Sequence, residues 1–224
     1  MNKSCNAFGW IAAALLTSGV AQASLVDRGG GLVYDDVLNV TWLQDANYAM
    51  SSGYDPDGLM DWSTANAWAS NLVYGGYGDW RLPKTLQPDP TCESHGSYVT
   101  AENCTGSELG QLFYVTLGNV GPSTDPINFG LINSGLFNNL QSGHGYWSET
   151  EYTIDNAVAW YFHFASGFQA YSGKINPHFA IAVRDGDVAL PPTTISEPAS
   201  YIIVFSGVAL LGFSLRSRKQ KVTA

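Results

Sequence analysis

Apolar residues fall into three regimes along the chain. Residues 8–20 form a mostly apolar stretch behind Lys3, too short to span a bilayer. Ala21-Gln22-Ala23 then places small residues at the two positions a signal peptidase reads. This predicts a signal peptide over residues 1–23, cleaved between Ala23 and Ser24. At the other end, residues 201–215 form an apolar run broken only by Ser and Gly, closed by Arg216, Arg218, Lys219 and Lys221. As a helix it would be roughly 22 Å long, against about 30 Å of hydrocarbon, so insertion requires snorkelling or bilayer thinning. The basic end is expected to stay cytoplasmic, with the body of the protein outside. Residues 190–200 read as a polar, Pro-rich linker.

Between these ends the pattern is that of a soluble α+β domain over residues 24–189. Leu32-Val33-Tyr34-Asp35-Asp36 and Val40-Thr41-Trp42-Leu43 read as two short strands with a polar turn between them. Asp55-Pro56-Asp57-Gly58 is a turn. Ser63 is the expected cap of a helix whose apolar positions, Ala65, Trp68, Ala69 and Leu72, share one face, and Gly75-Gly76-Tyr77-Gly78 ends it. Ser107 is the expected cap of a second helix, with Leu109, Leu112, Phe113 and Leu117 facing the core and Gly118 as its stop. The remainder is strand-like. Tyr146-Trp147-Ser148-Glu149, an alternating segment over 157–164, and a closing run over 179–184 predict a mainly antiparallel sheet. Gly167-Phe168-Gln169 reads as a turn. The Asn/Gly/Ser-rich stretch 118–143 is a long loop of the kind that carries binding.

Charge sharpens the picture. The whole chain carries −9, yet all 19 acidic residues lie between Asp27 and Glu197, where only Arg28, Arg81, Lys84, Lys174 and Arg184 oppose them, a balance of −14. Such a surface repels nucleic acid. Cys92 and Cys104 are the two cysteines left after signal cleavage. In an oxidising compartment they are expected to pair, stapling a turn-rich excursion by about 2–3 kcal/mol. A reactive dithiol is the alternative, without the CxxC spacing that chemistry uses.

Candidate chemistry is sparse. Asp55, Asp57 and Asp61 have a spacing able to hold Ca²⁺ through oxygen, without the third loop acid and distal Glu of an EF-hand. No nucleophile elbow, zinc-protease helix, P-loop or dinucleotide fingerprint is present. This favours a non-catalytic protein without a bound cofactor. His95, His144, His163 and His178 are scattered, and His163 reads as a structural histidine. Tyr74, Tyr77, Tyr146 and Tyr152 lie in or beside glycine-rich turns, where exposed rings could stack on sugar faces. Trp80 and Leu82 flank Arg81 and are expected to face the core together.

Two resemblances follow from particular strings. Ser196-Glu197-Pro198-Ala199-Ser200, the short apolar run and the basic end together resemble the PEP-CTERM sorting signal, with Ser196 where that family usually has proline. This implies an exosortase-type processing enzyme acting near Glu197 and Pro198. The second is carried by Leu38-Asn39-Val40-Thr41-Trp42-Leu43-Gln44-Asp45, Trp62-Ser63-Thr64-Ala65, Gly75-Gly76-Tyr77-Gly78-Asp79-Trp80-Arg81-Leu82-Pro83, Tyr146-Trp147-Ser148-Glu149-Thr150 and Ala182-Val183-Arg184-Asp185-Gly186. These resemble the Lcl C-terminal domain family, which implies a C-type-lectin-like fold. That family's named member is a collagen-like adhesin that binds sulfated polysaccharide, but this chain has no Gly-X-Y region. Nor does it have the Glu-Pro-Asn type motif through which C-type lectins hold Ca²⁺ and sugar. The resemblance implies an exported lectin-like module that binds polysaccharide or another matrix component. A structural surface protein acting by protein contacts is the alternative.

Overall fold

The computed structural model describes residues 24–94 and 100–188. The signal segment with Ala23, the linker and sorting motif with Glu197 and Pro198, the tail 201–224 and His95 lie outside the described residues. The chain divides between Val188 and Ala189, and all the described residues belong to the first unit. Among them, no helix is long and apolar enough to cross a membrane.

Strands β1 (Leu25–Gly29), β2 (Leu32–Asp35) and β3 (Val40–Leu43) are followed by a one-turn helix α1 (Tyr48–Ser51) and by α2 (Trp62–Asn71). Then come β4 (Glu93–Ser94), β5 (Thr100–Glu102) and α3 (Glu108–Gln111), the last continuing as a π-helical turn over Leu112–Thr116. Strands β6 (Tyr146–Glu151), β7 (Val158–His163), β8 (Phe168–Gly173) and β9 (Val183–Asp185) complete the elements of the described residues. One sheet has the order β1-β2-β3-β9 and the other β4-β5-β8-β7-β6, with every neighbouring pair antiparallel. The architecture is α+β, mostly antiparallel sheet with a few short helices.

Two apolar cores are separated by alternating side chains. Along 179–183, Phe179, Ile181 and Val183 join a core built on Trp42, Phe113, Phe162 and Phe164, while Ala180 and Ala182 join another built on Trp68, Trp80, Leu82 and Trp147. Strand β7 does the same, with Phe162 on one side and Ala159 on the other. A period of two puts successive residues on opposite faces, so one extended segment serves both cores. The closing run was expected as a strand over 179–184, but ladder pairing covers only β9; Phe179 instead makes an isolated parallel bridge to Tyr146.

Several local expectations are corrected. Asp61, not Ser63, caps α2, its Oδ1 accepting from the Thr64 N–H at 2.7 Å, and Ser63 lies inside the first turn. Helix α2 ends at Asn71, ahead of the glycines, because Leu72 is already extended. Ser107 occupies the cap position of α3 but does not cap it. Its hydroxyl accepts from the Leu86 N–H and donates to Asp89. The turn expected at 167–169 lies one step earlier: Gly167, with φ +74°, closes it, and β8 begins at Phe168. Strands β1, β4, β5 and β8 and helix α1 had no counterpart in the sequence reading.

The Cys92–Cys104 disulfide is formed. It closes the excursion that carries β4 and β5, and Cys104 is fully buried.

Candidate functional site

The strings that characterise the domain interlock. The Ser148 hydroxyl donates to the Pro83 carbonyl at 2.8 Å, and the Glu149 N–H donates to the same carbonyl at 2.9 Å. The Thr85 N–H donates to Thr150 Oγ1. Arg81 and Val183 exchange both backbone hydrogen bonds. Around that bridge the charges cross: Asp79 holds Arg184 through two hydrogen bonds of 2.8 and 2.9 Å, while Arg81 reaches Asp185 and, as a fork, both oxygens of Glu108. Trp80 and Leu82 point into the core at 3% and 1% exposure, as their spacing implied. Burial opposes the charge on Arg81, but its bonds to Glu108 and Asp185 outweigh this and hold the guanidinium above its ordinary range. Arg184 also lies 4.1 Å over the Tyr77 ring. These groups pair with one another across the bridge.

The acidic turn is likewise inward-looking. Asp55 Oδ1 accepts from the N–H groups of Asp57 and Gly58, Asp57 Oδ1 accepts from Leu59, and Asp61 caps α2. The three are not brought together as a metal-ligand group among the described residues. The one group of that kind is Asp89 with Cys92 and Cys104, whose sulfurs are bonded to each other and therefore cannot act as thiolate ligands.

Three histidines that are far apart in sequence approach one another. His178 stacks on Tyr161 at 4.4 Å and meets the edge of Trp147 at 4.5 Å, and neither of its ring nitrogens has a partner among the described residues. Burial, helped by His144 and His163, pushes its pKa down to about 4. His163 is lowered too, by burial and then by His144, and contacts Ser166 at 3.3 Å. Both sit in packed surroundings, which agrees with the structural reading of His163.

The four tyrosines picked out from the sequence divide. Tyr146 is not exposed at all: it is fully buried, its hydroxyl accepts from the Gln141 N–H, and burial raises its pKa. Tyr74 packs on Tyr48 and Trp80, and Tyr77 lies under Arg184. Tyr74 and Tyr77 are partly exposed, as is Tyr152, which joins a separate aromatic cluster with Trp160 and Tyr171.

That cluster is built across three strands. Trp160 on β7 and Tyr171 on β8 are direct cross-strand partners. Tyr152, just past β6, donates its N–H to Val158 and so stands beside them. The Tyr152 and Tyr171 rings stack at 4.4 Å and 10°, and the Trp160 ring meets them edge-on at 5.5 and 5.7 Å. Gln87 pins the group: its Oε1 accepts from the Trp160 indole N–H at 2.9 Å and from the Thr153 N–H, and its Nε2 donates to the Glu151 carbonyl. Neither phenolic hydroxyl has a protein partner among the described residues. Further in on the same face, Phe162 is core and Gln169 reaches Cys92 at 3.8 Å. The disulfide-held excursion therefore covers the inner part of this face and leaves the outer aromatic end partly open.

Trp160, Tyr171 and Gln87 escaped the sequence reading. Alternation placed Trp160 with buried Phe162, Tyr171 sits on a strand that reading did not contain, and nothing local distinguishes Gln87. A sequence model described as the Lcl C-terminal domain matches residues 31–184, more than half of the chain. No curated protein matches it.

Proposed function

The chain belongs to the Lcl C-terminal domain family, and from that premise we propose that it is an exported, non-catalytic module of C-type-lectin-like fold that binds polysaccharide at the bacterial surface. The carrying observation is the Tyr152–Trp160–Tyr171 cluster, partly exposed, with two hydroxyls free to bond a ligand. Rings held rigid by a cross-strand lattice offer apolar faces at low entropic cost, which is how aromatic side chains serve binding surfaces. Export is supported by the disulfide. In this reading residues 1–23 are removed, the tail 201–224 holds the protein at the membrane, and an exosortase-type enzyme acts near Glu197 and Pro198. Asp55, Asp57 and Asp61 each turn one carboxylate oxygen to backbone N–H groups and do not converge as a ligand group among the described residues, so this reading expects binding without Ca²⁺.

A second reading, a structural matrix protein acting through protein contacts, draws on the long loop. There Ile127, Phe129 and Ile132 are 84%, 40% and 68% exposed. Binding of the full chain to immobilised neutral and acidic polysaccharides, with Ca²⁺ and with chelator, separates the two. Saturable glycan binding indifferent to chelator is expected. Binding to no glycan, together with a defined oligomer in solution, would favour the protein-contact reading.

A further inference from the structure

We propose that the outer end of the five-stranded sheet is a subsite for neutral sugar rings, with Tyr152, Trp160 and Tyr171 as its stacking surface; this rests on the glycan-binding reading above and names its substrate class and its residues. The ligand chemistry follows from what the surface offers and what it lacks. A pyranose presents C–H groups on its faces and hydroxyls on its edges. The cluster supplies aromatic faces and edges across β6, β7 and β8, and the unpartnered hydroxyls of Tyr152 and Tyr171 supply hydrogen bonds at the rim.

An anionic chain would instead need free cations, and these are engaged. Lys174, three residues beyond Tyr171, pairs with Glu151 at 2.8 Å and lies 4.3 Å over the Trp62 ring. Arg28 pairs with Asp187, Arg81 with Glu108 and Asp185, and Arg184 with Asp79. Only Lys84 has no ion pair among the described residues, and it belongs to a domain (24–189) whose 18 acidic and 5 basic residues leave −13. A sulfated or uronic-acid chain would meet net repulsion there, so neutrality of the ligand is a consequence of the charge map.

Gln87 keeps the surface assembled. It grips the Trp160 indole and the chain entering the β6–β7 turn at once. It stands on a segment tied to the disulfide excursion through Asp89, which accepts from Thr91 and Ser107. The stack is thus pre-organised before any sugar arrives, which lowers the cost of binding.

The test is binding of the full chain, in a detergent without sugar headgroups, to laminarin, dextran, alginate and heparin at low and high salt. Wild type and Trp160→Ala, Tyr171→Ala and Tyr54→Ala are compared, with thermal melts to check folding. Tyr54 is a 54%-exposed tyrosine outside the cluster. Wild type is expected to bind a neutral glucan with Kd changing less than about twofold with salt. Trp160→Ala and Tyr171→Ala are expected to weaken it by about tenfold or more, the scale of losing a stacking anchor, and Tyr54→Ala to leave it unchanged. If Trp160→Ala does not fold, Tyr152→Ala, just past the end of β6, takes its place. Neutral-glucan binding that survives these substitutions would overturn the subsite while leaving the glycan reading intact. Binding only to alginate or heparin, lost at high salt, would overturn the neutral class. Binding to none of the four would remove both the reading and the inference.

Discussion

Arg81 gathers three carboxyl-bearing neighbours, and its two ion pairs differ in a way that fixes their relative worth. Its partner Glu108 is 15% exposed at the side chain, whereas Asp185 is 71% exposed. An exposed pair is screened and contributes little, while breaking a half-buried fork leaves a charge without its partner. Glu108→Gln is therefore expected to cost about 2 kcal/mol in urea unfolding and Asp185→Asn less than about 1 kcal/mol. Glu149 stands near the same guanidinium, and burial raises its pKa. At His178 the sign of the pH dependence is set by burial of the neutral ring. Its folded pKa, about 4, lies below the unfolded value of 6.5. Between these values the unfolded chain binds the extra proton, so the stabilisation is full above 6.5 and is lost as pH falls toward about 4. Positive charge on His144 and His163 disfavours protonation of His178, and charge on His144 that of His163. A urea midpoint that drops between pH 7 and 4.5 is expected, with a shallower drop in His178→Phe, which keeps the stack on Tyr161. Asp79 and Asp185, whose pKa values are lowered by Arg184 and Arg81, lose their contributions only at more acidic pH, below their unfolded 3.8.

At the scale of elements, the legible parts were those with a strong apolar period. The faces of α2 and of the second helical segment were readable because Ala65, Trp68 and Ala69, and Leu109, Leu112, Phe113 and Leu117, are spaced for burial and are buried. The closing run over 179–184 was read as a strand, but neither the alternation of its side chains between two cores nor its hydrogen-bonding pattern was legible. Strands β1, β4, β5 and β8 were illegible because their sequences, LVDRG, ES, TAE and FQAYSG, contain few large apolar residues and take their partners from distant chain. Capping was misread by two residues, since Asp61 and Ser63 are both good caps locally and only the fold chooses between them. Asp61→Ala is accordingly expected to cost about 1 kcal/mol of stability and Ser63→Ala less than about 0.5 kcal/mol, measured by thermal or urea unfolding. Equal losses would contradict the assignment.

At the scale of the molecule, the characteristic strings proved to be fasteners. Asp79-Trp80-Arg81-Leu82-Pro83 is held to Val183-Arg184-Asp185 by crossed ion pairs and to Ser148-Glu149 by shared contacts with the Pro83 carbonyl. In this chain these strings fasten the fold, and the candidate binding surface lies elsewhere. That surface was almost invisible in sequence. Its three rings come from β7, β8 and the end of β6, and of these only Tyr152 stood beside a readable turn. A cross-strand cluster is a property of register, and register was not legible. The acidic balance of −14 was legible, but its meaning depended on which cations were already paired. The claim that ties these together is that a neutral glycan sits on the Tyr152–Trp160–Tyr171 face. The most direct measurement is the indole N–H spectrum of the full chain during titration with laminarin, with the Trp160 resonance identified by Trp160→Phe. The account expects the Trp160 resonance to move in step with binding, while those of Trp42 and Trp147, both fully buried, stay in place. Saturable laminarin binding with an unmoved Trp160 resonance would contradict it.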